Sequence, residues 1–194
     1  MAYVTESRLR ARAQRATRSL FKSATARLNE QALAKAAHFD IFLSHSIKDS
    51  DLVDGARLEL EDKGYTVYVD WVVDARLDRS AVTAETAAVL RGRMLQCDTL
   101  IYMHTENSPK SKWMPWELGF FDGAKGGRVS VMPVVKNKDD DFTGQEYLGI
   151  YPTTDFTSDT SPKKIEPLWV QRSENEYASF KDWKKDPNSI RKRS

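Results

Sequence analysis

The chain has 194 residues with 30 basic and 28 acidic side chains, which gives a formal net charge of +2 at pH 7. A balance so close to neutral does not predict binding to nucleic acid, which favours strongly basic surfaces. Cys97 is the only cysteine, so an internal disulfide and a zinc cluster built on cysteines are excluded. No apolar run approaches the ~20 residues that cross a bilayer, and the N-terminus lacks the apolar core of a signal peptide. We therefore expect a cytoplasmic protein with no transmembrane segment.

Residues 1–37 are predicted to form a basic helical extension. From residue 7 to residue 37 there is no Gly or Pro, and Leu and Ala recur at steps of three and four residues, as on an amphipathic helix. Eight basic side chains face only two acidic ones in this extension. Because the apolar stripe is mostly alanine, packing on the domain or on a partner subunit is favoured over contact with an anionic surface, and both interpretations stay open.

Strands and helices alternate from His38 onward. The sequence predicts strands at 39–44, 65–69, 99–103 and 129–135, and helices at 51–63, 83–95 and 113–124. Pro133 predicts that the last of these strands lies near a sheet edge or carries a bulge. A weak strand at 147–151, a helix at 174–183 and a disordered basic tail at 190–194 are expected to follow.

This alternation is typical of βαβ units. It predicts an α/β domain over residues 38–155, with about five parallel strands and helices on both faces of the sheet. Residues 156–194 are expected to add a C-terminal helical segment and the basic tail. Parallel sheets of this kind bind ligands at the carboxyl ends of their strands. Here those ends are residues 44–46, 70–71 and 104–108.

The helix at 113–124 carries a carboxylate on an aromatic face. At about 100° per residue, Glu117 shares one side of the helix with Trp113, Trp116, Phe120, Phe121 and Ala124. An unpaired buried carboxylate is costly to desolvate, so its place on this face indicates a working role. The alternative is that Pro115 begins the helix and Glu117 only complements the dipole of the first turn. Glu117 also follows the third strand end, where the fold predicts a ligand.

Several reaction classes lack their motifs in this chain. No Gly-x-Gly-x-x-Gly or Walker-type loop follows a strand, there is no Gly-x-Ser-x-Gly elbow, and the three histidines lack the spacing of metal ligands. A lone carboxylate suits a substrate whose leaving group is already cationic, as nicotinamide is in NAD⁺. One carboxylate is then enough to stabilise an oxocarbenium ion or to hold the ribose hydroxyls. Trp113 would stack on a ring of the substrate or, alternatively, pack in the core.

Two segments resemble the signature boxes of Toll/interleukin-1 receptor (TIR) domains. Residues 39–46, Phe-Asp-Ile-Phe-Leu-Ser-His-Ser, resemble the first box. Residues 111–118, Ser-Lys-Trp-Met-Pro-Trp-Glu-Leu, resemble the Ser-x-Trp-Cys-x-x-Glu-Leu segment, with Met114 at the usual cysteine position. Both boxes occur in the right order on the right elements, and the resemblance spans roughly residues 38–155. It implies a flavodoxin-like TIR fold, similar to bacterial TIR proteins of anti-phage systems such as Thoeris.

The resemblance also implies an activity and a site. Glu117 corresponds to the catalytic glutamate of TIR enzymes that act as NAD⁺ glycohydrolases or ADP-ribosyl cyclases, with NAD⁺ as substrate and no cofactor. Residues that bind the substrate would be Ser44, His45, Asp70, Trp71 and Trp113. The product would be a nucleotide signal for a downstream nucleotide-sensing effector, unless the enzyme acts by depleting NAD⁺.

The segment at 70–79 lacks the Arg-Asp-x-x-Pro-Gly turn of animal receptors, which argues against receptor-adaptor behaviour. TIR enzymes often self-associate so that this loop completes a neighbour's site, and by that analogy Arg76 or Arg79 would reach the pyrophosphate. A solvated surface loop is the alternative. Two other functions stay open: a non-catalytic TIR scaffold that acts by homotypic contacts, and a nucleoside deoxyribosyltransferase-like enzyme. Glu117 with Trp113 favours catalysis, and the order of the boxes favours a TIR domain.

Overall fold

A mixed sheet runs through the computed structural model, which describes residues 3–19, 38–74, 82–156 and 168–192. Within these ranges the strands are β1 (Val4–Thr5), β2 (Phe39–Ser44), β3 (Val67–Tyr68), β4 (Cys97–His104), β5 (Val129–Val135), β6 (Thr153–Asp155), β7 (Trp169–Ser173), β8 (Glu176–Ser179) and β9 (Arg191–Lys192). Their order across the sheet is β3-β2-β4-β5-β6-β7-β8-β9, and β1 pairs with β5. The five strands from β3 to β6 in that order are parallel, as predicted.

Helices cover both faces of this sheet. They are α1 (Glu6–Ser19), α2 (Ser50–Asp62), α3 (Asp70–Val73), α4 (Ala84–Leu95), α5 (Met114–Lys125) and α6 (Phe180–Lys185). Leu100 and Tyr102 of β4 join the core under α4 and α5, whereas Ile101 and Met103 join the core under α1, α2 and α6. Apolar residues on both sides are typical of a buried parallel strand. No helix of the described ranges is long and apolar enough to span a membrane.

The N-terminal segment packs against the domain. β1 pairs with β5 in parallel, with Val4 opposite Val134, and Leu9 of α1 is fully buried. Arg8 and Arg12 form ion pairs with Glu59 and Asp62 of α2, at 3.1 and 2.7 Å. The boundary predicted at residue 38 therefore does not separate two packing units. The predicted helix is observed over residues 6–19, and residues 20–37 lie outside the described ranges.

The prediction of a helix at 174–183 is wrong for the first half of that span. β7 and β8 form an antiparallel hairpin, in which Val170 lies opposite Ala178 and the rings of Trp169 and Tyr177 lie 5.3 Å apart. Only the end of the predicted span is helical, because the Ser179 side chain accepts a hydrogen bond from the N–H of Asp182 and so begins α6. The described part of the predicted disordered tail pairs with β8 as β9.

Two further predictions are also wrong, one about the place of Pro133 in the sheet and one about a strand at residues 147–151. β5 lies inside the sheet, paired with β4 and β6, and its register with β4 runs without a shift to Pro133. The N–H of Val131 donates to Pro152 on the β6 side. Pro133 is two residues further along β5, so its backbone nitrogen points to the same side as that of Val131. The one described pairing of β5 with β6 is at Val131, so the missing N–H of Pro133 breaks no hydrogen bond between these two strands. The strand predicted at 147–151 is instead a short 3₁₀ helix, Glu146–Ile150, in which Leu148 alone is buried.

Close contact between α1 and α2 depends on a glycine. A Cβ atom built at Gly55 would lie 2.2 Å from the carbonyl oxygen of Leu9, closer than real Cβ atoms approach backbone. We expect Gly55→Ala to destabilise the fold by about 1–3 kcal/mol, because α1 must move away from α2. Urea unfolding measures this loss. Gly92→Ala in α4, where a Cβ meets nothing within 4 Å, is the control and should gain about 0.5–1 kcal/mol. Equal stability of the two variants would contradict the contact.

Asp155 at the end of β6 makes stability depend on pH. Burial raises the pKa of its carboxyl from its usual 3.8 to about 6. The folded state therefore binds the proton of Asp155 more tightly than the unfolded state does. The protonated carboxyl contributes its full stability below pH ~4, and this contribution is lost as the pH rises through about 6. The loss is about 3 kcal/mol for a shift of this size. Unfolding of Asp155→Asn should lack this change between pH 4.5 and 7, while Asp139→Asn on an exposed turn should keep it.

Candidate functional site

Glu117 lies in the first turn of α5, at the carboxyl edge of the sheet, and its exposed fraction is 0%. The helix begins where Ser111 accepts a hydrogen bond from the N–H of Met114 at 3.3 Å, and Pro115 follows in the first turn. The N–H of Glu117 donates to the carbonyl of Trp113 at 2.8 Å. A carboxylate at this end of a helix is stabilised by the helix dipole.

The Glu117 carboxylate is bound by a serine of β2. Ser44 Oγ donates to Glu117 Oε2 at 2.6 Å, and both residues are buried. Hydrogen bonds to ionised groups are short and strong, so this contact offsets part of the cost of burying the carboxylate. Tyr102 pairs in register with Ser44 on the adjacent strand. Burial above all, then interaction with Tyr147 and last the charge of Glu117, raises the pKa of Tyr102, so its hydroxyl stays protonated.

His45, Asp70 and Trp71 form a second group next to Ser44. His45 Nδ1 donates to the carbonyl of Leu43 at 2.7 Å, and its Nε2 lies 3.4 Å from Asp70 Oδ1. The same Asp70 oxygen accepts the N–H of Trp71 at 2.8 Å, and the Trp71 ring meets the His45 ring edge-on at 4.5 Å. The two strand ends thus bring together three residues that the sequence assigned to substrate binding.

A cavity of about 220 Å³ opens above these residues. Its lining residues come from the segments after β2 and before α5, with one from the segment before α4: His45, Ser46, Ile47, Lys48, Val82, Lys110, Ser111, Lys112 and Trp113. Glu117 does not line it. Two lining residues are close in the chain to Ser44 or to Glu117. His45 directly follows Ser44, and the carbonyl of Trp113 accepts the N–H of Glu117 in the first turn of α5. The carboxylate is therefore not open to the cavity. We call the side formed by His45 and Trp113 the floor of the cavity.

A larger cavity of about 490 Å³ lies at the ends of β4 and β5 and holds none of the residues in the predicted site. Its lining includes four carboxylates, Glu6, Glu106, Asp140 and Asp141, against one lysine, Lys136. This charge disfavours an anionic dinucleotide. His104, predicted at a strand end, lines this cavity, and burial lowers its pKa.

Trp113 is packed in the core and also lies at the smaller cavity, so its predicted stacking on a substrate ring stays a prediction. Its exposed fraction is 6% and its ring packs edge-on against Trp116 at 5.4 Å, yet it also lines the smaller cavity. The buried face of α5 is rotated from the predicted one. Met114, Glu117, Leu118 and Phe121 are buried, Trp116 and Phe120 are half-buried, and Ala124 is exposed.

The segment at 70–79, predicted as a loop, begins as the helix α3. Asp74 closes this helix and anchors it, because its carboxylate accepts from Arg93 at 2.7 Å and from the hydroxyl of Tyr68 at 2.9 Å. Arg76 and Arg79 lie outside the described residues, so their predicted contact with a pyrophosphate stays a prediction.

Asp49 is a residue that the sequence analysis missed. Its exposed fraction is 4%, its Oδ2 accepts from Thr105 Oγ1 at 2.5 Å, and its Oδ1 accepts from Asn107 Nδ2 at 2.6 Å. It therefore ties the segment after β2, which carries His45, to the segment that leads from β4 into α5. A single acidic residue in a polar stretch gives no sequence signal of such a bridge. Nowhere in the described ranges do three or more His, Cys, Asp or Glu residues form a group that could hold a metal ion.

The parallel sheet and the position of Glu117 are those expected of a TIR domain, and residues 41–169 match the TIR domain family. The chain belongs to this family, which confirms the prediction from the two signature boxes and the flavodoxin-like fold. Over 146 residues it is 46% identical to a Bacillus cereus (strain MSX-D12) protein named probable 3′ cyclic ADP-D-ribose synthase ThsB′, with 75% of each chain covered. It is 32% identical over 83 residues to the putative cyclic ADP-D-ribose synthase TIR2 of Cytobacillus dafuensis, covering 42% of this chain and 22% of that protein.

The Asp49 bridge should matter for both stability and the site. Asp49→Ala leaves Thr105 and Asn107 without their buried acceptor, so we expect a loss of about 1–3 kcal/mol in unfolding free energy. Asp51→Ala, two residues on, removes an exposed ion pair with Arg10 and should cost at most about 1 kcal/mol. Urea unfolding of both variants compares the two costs. A smaller loss for Asp49→Ala than for Asp51→Ala would show that the bridge is not structural.

Proposed function

We propose that this TIR domain cleaves the nicotinamide–ribose bond of NAD⁺ and yields cyclic or linear ADP-ribose, with Glu117 as its catalytic residue. The observation that carries the proposal is the buried Glu117 carboxylate at the carboxyl edge of the sheet, held 2.6 Å from Ser44. Both relatives bear the names of cyclic ADP-ribose synthases, which supports the same reaction here.

The proposed chemistry needs one negative group. The bond between the ribose carbon and the nicotinamide nitrogen breaks, its electron pair leaves with neutral nicotinamide, and positive charge develops on the ribose. Glu117, fixed in an apolar surrounding, would stabilise that charge more strongly than water does. Attack by water then gives linear ADP-ribose, and attack by a group of the same substrate gives a cyclic product. NAD⁺ is the substrate, and we propose no further cofactor.

Substrate would enter the smaller cavity. Trp113 in its wall offers a ring for stacking, and His45, Asp70 and Trp71 lie at the adjoining strand ends. Because Glu117 is fully buried and does not line the cavity, the proposal requires the floor at His45 and Trp113 to move when NAD⁺ binds. Binding energy from the rest of the dinucleotide is available to drive that movement.

A non-catalytic TIR scaffold is the second candidate. The observation in its favour is the same burial, since without movement of the cavity floor the Glu117 carboxylate meets no substrate and serves to join β2 to α5. Self-association through TIR–TIR contacts suits either function. On the sequence resemblance we further propose a role in anti-phage defence with a downstream nucleotide-sensing effector. Membership of the TIR family favours both candidates over a deoxyribosyltransferase-like enzyme.

Replacing the carboxylate separates these functions. We expect Glu117→Gln to keep the fold and to lower the rate of nicotinamide release by at least ~100-fold, because one electrostatic group is removed from the transition state. Chromatography of nicotinamide released from NAD⁺ gives the rate, and mass spectrometry identifies the product. Glu106→Gln, exposed and outside the smaller cavity, is the matched control and should leave the rate unchanged.

Near-normal release by folded Glu117→Gln would overturn the catalytic role. A wild-type protein that self-associates but releases no nicotinamide would be a scaffold. Free base released from deoxynucleosides, with NAD⁺ left intact, would indicate a deoxyribosyltransferase-like enzyme.

A further inference from the structure

Basic side chains surround the smaller cavity on two sides. Lys48 lies in the segment after β2, and Lys110 and Lys112 lie in the segment before α5. Among the described residues, no acidic side chain lines this cavity. All three lysines are exposed, and none forms an ion pair with a carboxylate of the described chain. Three uncompensated positive charges around one opening attract a multiply charged anion.

A buried polar atom also marks the cavity as a binding site. His45 lines it with an exposed fraction of only 2%, and its Nε2 makes no hydrogen bond within the described residues, although Asp70 Oδ1 lies 3.4 Å away. When Nδ1 carries the proton and donates to the carbonyl of Leu43, the Nε2 of the neutral ring is an acceptor for a hydroxyl group. A buried polar atom without a hydrogen bond is costly, and a ligand hydroxyl placed at Nε2 would remove that cost.

The size and position of the cavity select the part of a dinucleotide that fits. About 220 Å³ is less than the volume that usually encloses a whole drug-sized ligand, so only a portion enters. α5, a helix of 12 residues, begins beside the cavity at Met114, and the positive end of its dipole adds to the field of the lysines. The anionic portion of the ligand therefore belongs in this cavity.

We propose that Lys48, Lys110 and Lys112 form the subsite for the pyrophosphate of the dinucleotide substrate, with a ribose hydroxyl against His45 Nε2. This inference rests on the proposed function and names its pyrophosphate-binding residues. Lysine suits this task because its ammonium group is a compact charge on a flexible stem, which follows a pyrophosphate as the floor of the cavity moves. The nicotinamide ribose then lies at the floor, nearest Glu117 and Trp113.

Binding of ADP, measured by isothermal titration calorimetry, tests the subsite without turnover. Each change of Lys48, Lys110 or Lys112 to Gln should raise the dissociation constant by about fivefold, the upper end for an exposed ion pair. The triple variant should raise it on the order of 100-fold if the effects add. Lys→Arg changes at the same positions should restore most of the affinity. Lys138→Gln, an exposed lysine outside this cavity, is the matched control and should bind ADP normally.

Two further readouts separate charge from structure. Added salt should weaken ADP binding to the wild type and have little effect on the triple variant. In turnover, the triple variant should raise the KM for NAD⁺ far more than it lowers kcat, since the lysines bind the substrate before and during the reaction.

The outcomes distinguish this inference from the proposed function. ADP binding by the folded triple variant within twofold of wild type, or no ADP binding by the wild type at millimolar concentration, overturns the subsite. Lysine-dependent ADP binding without nicotinamide release keeps the subsite and overturns the proposed function. Nicotinamide release with an unchanged KM in the triple variant keeps the proposed function and overturns the subsite.

Discussion

The burial of one carboxylate constrains the centre of this protein. Glu117 has no solvent to stabilise its charge, so the last residue of β2 must supply a hydroxyl and α5 must place its positive end at the same point. Both partners are available only if β2 and α5 meet at the carboxyl edge of the sheet. The parallel strands, the crossover through α4 and the turn before α5 together bring this about. The structure of the edge and its chemistry thus follow from one electrostatic requirement.

The parallel core was predictable because its signals are local. Apolar runs such as residues 39–44 and 99–103 are short, continuous and followed by helical periodicity. They can therefore be predicted as strands, in the right order, without knowledge of tertiary contacts. The C-terminal hairpin was not, since the pairing of Val170 with Ala178 and of Trp169 with Tyr177 depends on contacts across strands. Pro133 misled for a related reason. Its meaning depends on which side of β5 its missing N–H faces, and only the sheet shows that.

The residues of the candidate site also divide into those that the sequence predicted and those that it did not. Glu117 and Ser44 stand out in the sequence because a polar residue interrupts or ends an apolar pattern, and the structure joins them by a hydrogen bond. Asp49 and the three cavity lysines lie in polar segments, where one charged residue looks like another. Their roles arise from the distances between two loops that are far apart in the chain. For residues 75–81, which include Arg76 and Arg79, the sequence prediction stands untested by the structure.

The pairing of β1 with β5 has a consequence for how the chain acquires its structure. Val4 and its partner Val134 are separated by about 130 residues of the chain. Contacts this distant in sequence form slowly, because the loop between them must close first. During synthesis β1 must therefore stay unpaired until β5 has emerged, whereas α1 meets its partner helix α2 much earlier. Pairing of β1 thus reports that β5, a central strand of the sheet, is in place.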